Sequence, residues 1–303
     1  MKRKLIAAVL MSAMTVSLVT GCGSKPADES AASPAETEGT EQETPEEAPA
    51  EEAPEEEAAP AGEAMTLNVF AAASMTETLE KIQGMYADVA PEVTLVFNFD
   101  SSGTLKTQIE EGADCDLFIS AAQKQMNQLD ISADPEANTD GLDFVLEGSR
   151  VDLLENKVVL AVPDGNPAGI ETFEDLGTDK LSLLALGNDD VPVGQYSTEI
   201  LTNLNLLSSL EGAGKITYGS NVKEVTTQVS EATADVGIIY ATDAFSAGLT
   251  VVDEADETLC KRVVYPAAVL KTAQNQEAAA AFLDYLTTDD CTAVFEEVGF
   301  TRP

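Results

Sequence analysis

The sequence predicts an α/β protein of two lobes, each a mainly parallel sheet flanked by helices, joined by a hinge crossed more than once. Three observations predict it. From residue 65 onward, apolar runs of strand length alternate with segments of helical spacing, the pattern of parallel sheets. Two of the strands, in Val69-Phe70-Ala71-Ala72-Ala73-Ser74-Met75-Thr76 and Phe99-Asp100-Ser101-Ser102-Gly103-Thr104, stop at a small hydroxyl residue and turn directly into a helix. The pattern restarts after Pro163-Asp164-Gly165-Asn166-Pro167, and 303 residues are enough for two lobes.

The elements follow in order. Thr66 to Ala73 reads as a strand. Thr76 to Ala90 carries Leu79, Ile82, Met85, Tyr86 and Val89 at helical spacing and is stopped by Pro91. Val93 to Phe99 is a second strand, Thr104 to Glu111 a short helix, Cys115 to Ser120 a third strand and Lys124 to Leu129 a helix. Lys157 to Val162 is an apolar strand at the crossover. The second lobe then offers Leu181 to Leu186 as a strand, a loop to Gly194, a helix from Gln195 to Leu207, and a strand and loop over Ile216 to Asn221. A helix over Val222 to Ala234 shows Val222, Val225 and Val229 on one face, and Val236 to Tyr240 is a short strand. Val263 to Leu270 returns to the first lobe, closed by helices at Glu277 to Leu286 and Ala293 to Val298. Lobe I is thus expected at 65–160 plus 255–303 and lobe II at 161–254.

The first 64 residues have another character. Lys2-Arg3-Lys4 is a positive n-region, and Leu5 to Val19 is an uncharged apolar run, short for a membrane span but suited to a signal peptide. It ends in Leu18-Val19-Thr20-Gly21-Cys22-Gly23, which resembles the bacterial lipobox, whose Cys is lipidated and becomes residue one after cleavage. Residues 1–21 are therefore expected to be a lipoprotein signal peptide with Cys22 the lipidation site. From Gly23 to Ala64 there is no Val, Ile, Leu or aromatic residue. Such a segment cannot bury enough surface to offset its ordering entropy, so 22–64 is expected to be a disordered acidic tether.

Composition excludes several classes. The formal net charge of −38 argues against nucleic acid, which this surface would repel. The absence of His removes the Ser-His-Asp and Cys-His mechanisms and most zinc sites. Cys22, Cys115, Cys260 and Cys291 show no C-x-x-C spacing. Beyond Cys22, three buried thiols are favoured, with a Cys260–Cys291 disulfide as the other reading. Phosphate-loop, dinucleotide and serine-hydrolase signatures are absent, and Ser74 has no base near it in sequence. The chain is expected to be no enzyme, without catalytic residues or a resident cofactor.

What remains is the pair of serine-bearing strand ends. A strand that ends at a helix N-terminus presents free backbone N–H groups and the positive end of the dipole, which together form an anion site. Ser is also the preferred helix cap, and capping uses the same N–H groups, so Ser74 and Ser102 suit either role. Tyr240, closing Gly237-Ile238-Ile239-Tyr240, reads as core or as a ligand contact.

Three further segments extend this pattern: Val191-Pro192-Val193-Gly194-Gln195-Tyr196, Tyr265-Pro266-Ala267-Ala268-Val269 and Gly299-Phe300-Thr301. With the two serine segments, Asp116-Leu117-Phe118-Ile119-Ser120-Ala121 and the run from Gly237 to Ala244, they resemble the periplasmic molybdate-binding proteins of ABC importers, in that family's order and over nearly all of 66–303. The resemblance implies the two-lobed type II periplasmic-binding fold. It also implies an oxyanion held through its oxygens rather than by metal ligation: by hydroxyl and amide of Ser74 and Ser102, the amides at Val193 and Val222, and the hydroxyl of Tyr240. Oriented dipoles in a dry cleft can outweigh a diffuse acidic surface that salt screens. The family often has Ala at the position of Val193 and Ser at that of Gly103.

The implied function is capture of molybdate, and of tungstate as well, outside the cell. Delivery would be to a membrane permease with a cytoplasmic ATPase, by a monomer tethered through its N-terminal lipid to the outer face of the cytoplasmic membrane. Other readings are a same-fold binder of sulfate, thiosulfate or a carboxylate, a hydrolase using Ser74, and a scaffold lipoprotein. A carboxylate would call for an Arg in the cleft, and none falls in these motifs.

Overall fold

The computed structural model describes residues 64–303. The expected signal peptide, the lipidation site Cys22 and the acidic tether lie outside the described residues. The chain opens with β1 (Met65–Ala72), a 3-10 turn (Ala73–Met75), α1 (Thr76–Val89), β2 (Val93–Asp100), α2 (Ser102–Glu110), β3 (Leu117–Ile119) and α3 (Gln123–Leu129). After β4 (Val151–Asn156) and β5 (Val158–Val162) come β6 (Leu184–Gly187), α4 (Pro192–Asn203), α5 (Leu207–Gly212), β7 (Ile216–Gly219) and α6 (Val222–Ser230). The last part is β8 (Val236–Tyr240), α7 (Ala241–Ser246), β9 (Thr250–Glu254), β10 (Val263–Val269), α8 (Gln276–Leu286) and α9 (Asp289–Val298).

Two five-stranded sheets result, ordered β2-β1-β3-β10-β4 and β7-β6-β8-β5-β9. In the first, β1 pairs in parallel with β2 and β3, and β10 runs antiparallel to β3 and β4. The second repeats the scheme, with β6 parallel to β7 and β8, and β5 antiparallel to β8 and β9. Parallel and antiparallel pairings are therefore equal in each sheet. The antiparallel half comes from β4, β5, β9 and β10, the strands on either side of the two crossings between lobes. Strands buried on both faces, such as β5, β8 and β10, read as continuous apolar runs because helices cover both sides.

The crossing points differ from the sequence expectation in one respect. Lobe I was expected to run to residue 160, but all of β5 lies in the second sheet, so the first crossing falls at Asn156-Lys157. The Pro-Gly-Asn cluster at 163–167 is turn chemistry after β5 rather than the crossover. The true crossing carries no breaker residue, because the chain passes from β4 to β5 nearly extended. The second crossing lies between β9 and β10.

Candidate functional site

The strand ends of both lobes meet at one small cavity. Ser74, Ser101, Ser102 and Ala121 line it from the first lobe, and Val191, Pro192, Val222 and Tyr240 from the second. The space open to the centre of a water is about 10 Å³, room for about one molecule. The structure thus brings Ser74, Ser102, Val222 and Tyr240 together. Val193 stands one residue behind the wall formed by Val191 and Pro192, fully buried at the second position of α4.

Each side chain is placed by local structure. Ser74 sits in the 3-10 turn between β1 and α1, and it caps nothing. Its Oγ lies 2.9 Å from the Tyr265 hydroxyl. Tyr265 in turn accepts from Asn156 Nδ2 at 3.2 Å, and the same amide donates to Thr242 Oγ1 at 2.9 Å. The orientation of Asn156 is set by its Oδ1, which accepts from Lys157 N at 2.8 Å. Either hydroxyl of the Ser74–Tyr265 pair can donate to the other. This buried relay runs from the cavity to the hinge residue Asn156.

Ser102 is the first residue of α2, and the cap is its neighbour Ser101, whose hydroxyl accepts from Thr104 N at 3.1 Å. Ser102 Oγ accepts from Ala121 N at 2.9 Å, which leaves the hydroxyl proton for the cavity. The two roles that Ser suits at a helix start are thus divided between adjacent serines.

In the second lobe, α6 is capped by Asn221, which accepts from Glu224 N, while the Glu224 carboxylate accepts from Ser220 N. The first-turn amides at Val222 and Lys223 have no intrahelical acceptor. In α4, Pro192 occupies the first position and brings no N–H, so Val193 supplies the first amide of that helix. Gly194 lets the β6–α4 loop lie against this turn: a Cβ there would stand 2.3 Å from the Gly187 carbonyl oxygen. The Tyr240 hydroxyl reaches across the cleft toward the Ala121 carbonyl, 3.5 Å away. Its ring is held edge-on between Tyr196 and Tyr265. Burial holds the Tyr240 phenol well above its ordinary pKa, so it stays a neutral donor.

The lining is otherwise uncharged except for Asp100, whose Oδ1 accepts from Ser101 N at 2.7 Å and faces Asn221 Nδ2 at 3.5 Å. Four groups matter here that the sequence did not single out: Tyr265, Asn156, the Gly103–Asp190 contact and Lys223. Gly103 N donates to Asp190 O across the cleft at 3.0 Å, and a Cβ on Gly103 would meet that oxygen at 2.3 Å. The absence of a side chain at Gly103 is what lets the lobes come this close. A larger groove, lined by Met65, Tyr86, Val89, Ala281 and Tyr285 among others, lies between α1 and α8.

Cys115, Cys260 and Cys291 are free and buried, so the Cys260–Cys291 disulfide is not formed.

Comparison with known proteins agrees with this architecture. Residues 67–301 match the family described as bacterial extracellular solute-binding protein. YvgL of Bacillus subtilis, provisionally named an ABC transporter substrate-binding lipoprotein, is 34% identical over 78% of this chain and 86% of its own length. The molybdate-binding protein ModA of Haemophilus influenzae is 35% identical over 78% of this chain and 89% of its own. Among solved structures, the periplasmic molybdate-binding protein of Azotobacter vinelandii superposes with a TM-score of 0.68 at 24% identity. It covers 78% of this chain and 99% of that one, and it speaks for the fold alone. With its family match spanning both lobes and these relatives aligned along most of their length, the chain belongs to the bacterial extracellular solute-binding proteins.

Proposed function

We propose that this protein binds molybdate, and tungstate with it, outside the cell and hands the ion to the permease of an ABC importer. The observation that carries this reading is the cavity itself. Two serine hydroxyls, a neutral tyrosine and helix first-turn amides converge on it from both lobes, without a cationic side chain in its wall. That donor set suits a small, fully ionised oxyanion. The relatives named for molybdate support the choice of ion. Ser74, Ser102, Val193, Val222 and Tyr240 would hold it: the hydroxyl and amide of each serine, the two valine amides and the phenol.

An ion with four oxygens needs more room than one water, so the lobes part to admit it and close again by hinge motion. Selectivity over sulfate then rests on the size of the closed cavity, since charge and shape are shared. The protein acts as a monomer, tethered by a lipid on Cys22 to the outer face of the cytoplasmic membrane.

Calorimetric titration of the full chain with molybdate, tungstate and sulfate, in separate runs, tests the proposal. One-to-one binding of the first two and none of sulfate is expected. Ser74→Ala and Ser102→Ala should each weaken it about tenfold to a hundredfold, the worth of one hydrogen bond to a charged group. Binding of sulfate with equal strength would overturn the size argument, and absence of binding would overturn the transport role.

A further inference from the structure

One charged group bridges the two lobes beside the cavity. Lys223 is the second residue of α6, directly after Val222. Its Nζ reaches Glu77 in the first turn of α1, in the other lobe, at 2.8 Å from Oε1 and 2.7 Å from Oε2. On its other side, Nζ lies 3.2 Å from Oδ1 of Asp243 in α7, within its own lobe. The Asp243 side chain is fully buried, and neither of its oxygens accepts a hydrogen bond.

Two features show that this lysine is placed for pairing. A cation in the first turn of a helix opposes the helix dipole, so local preference does not put it there. A buried carboxylate without hydrogen bonds is costly unless a cation stands beside it, so Asp243 holds Lys223 in the second lobe. The ammonium keeps donors to spare, and they are used on the first lobe. Opening the cleft separates Lys223 from Glu77 but leaves Lys223 with Asp243. The Glu77 contact therefore stabilises only the closed form.

We propose that Lys223 is a positioning residue that latches the closed cleft: anchored by Asp243, it grips Glu77 of the opposite lobe and slows release of the bound oxyanion. This rests on the oxyanion reading above. The pair is half exposed, with side-chain accessibilities of 30% for Lys223 and 50% for Glu77, so its effect is modest and sensitive to salt.

Glu77→Gln is the decisive variant, because it removes the first-lobe half and keeps the buried pair intact. In stopped-flow experiments on the full chain with molybdate, release should be about twofold to fivefold faster and association unchanged. The difference should vanish at about 1 M salt. A second arm is thermal unfolding of wild type, Glu77→Gln, Lys223→Gln and the double variant, with and without saturating molybdate. Coupling, the double variant losing less than the sum of the single losses, should be larger with molybdate bound than without it. Unchanged release in Glu77→Gln, or strict additivity with molybdate bound, overturns the latch. If wild type binds no molybdate, it is the oxyanion reading that fails, and the latch falls with it.

Discussion

The Tyr265 hydroxyl sits 2.9 Å from Ser74 Oγ, across 191 residues of sequence, and joins the cavity to the hinge. Because Tyr265 accepts from Asn156 at one crossing between the lobes, the side chain bonded to Ser74 is also fixed to the segment about which the lobes turn.

Tyr265→Phe removes the hydroxyl without changing the ring, which stays packed between Tyr240 and Phe300. Ser74 then loses its hydroxyl partner, and Asn156 loses one acceptor. Molybdate affinity should fall about fivefold to tenfold by calorimetry, with a loss of about 1 kcal/mol in unfolding free energy.

Gly103→Ala tests the closeness of the lobes. The added Cβ would stand 2.3 Å from the Asp190 carbonyl oxygen, where a main chain must give way. Both residues face each other only when the cleft is closed, so the fold itself is unaffected. Affinity should drop more than about tenfold while the melting temperature of the free protein stays within a few degrees, since strain of roughly 1–3 kcal/mol falls on the closed form alone.

The pH dependence of stability carries a signature of Asp243. Burial raises its carboxyl from 3.8 to about 6, and the opposing pull of Lys223 does not cancel that. Lys223 from α6, Glu77 from α1, and Tyr240 and Tyr265 from the strands all face it. A raised carboxyl binds its proton more tightly in the folded chain than in the unfolded one. Its contribution is therefore unfavourable above pH 6, by roughly 3 kcal/mol, and fades as pH falls toward 3.8. Asp130 has the opposite sign: burial pushes it up, but Ser132 and Arg150 outweigh that and hold it below 3.8. Its stabilisation is present above 3.8 and is lost below its lowered value. Thermal unfolding between about pH 7 and pH 5 should show wild type gaining stability relative to Asp243→Asn, with Asp130 silent over that window.

The three thiols of the described residues should be inert in the native protein. Burial raises all of them, Cys260 to about 11 and Cys115 further, so little thiolate forms at neutral pH. A thiol reagent should modify positions 115, 260 and 291 only on unfolding, as read by mass spectrometry, and reductant should leave the melting temperature unchanged.

Elements with a strong local signature were readable in the sequence to within a few residues. β1, α1, β2, β8, β10 and α8 combine clear periodicity with a stop such as Pro91 or a change of composition. The weaker ones were not. β4 pairs Leu153 with Leu154 instead of alternating, and β9 is an edge strand with little burial, so neither shows a strand period. The helix expected over 195–207 is broken after Asn203, because Asn205 takes a left-handed conformation with φ 58°, and α5 begins beyond it. α7 is only six residues long and starts directly from Tyr240, which leaves no room for a period to show.

By itself the sequence determined the alternation of strands and helices, the placement of Ser74 and Ser102 at strand ends, and the donor chemistry available there. These are local matters, set by side-chain period and by where a strand turns into a helix. The tertiary structure alone decided that Ser101 rather than Ser102 caps α2, that Ser74 answers to Tyr265, that Gly103 meets Asp190, and that Lys223 joins Glu77 to Asp243. The physical reason is that periodicity reports which face of an element is buried, but not what it is buried against. Only the packing of the two sheets, and the approach of one lobe to the other, selects those partners.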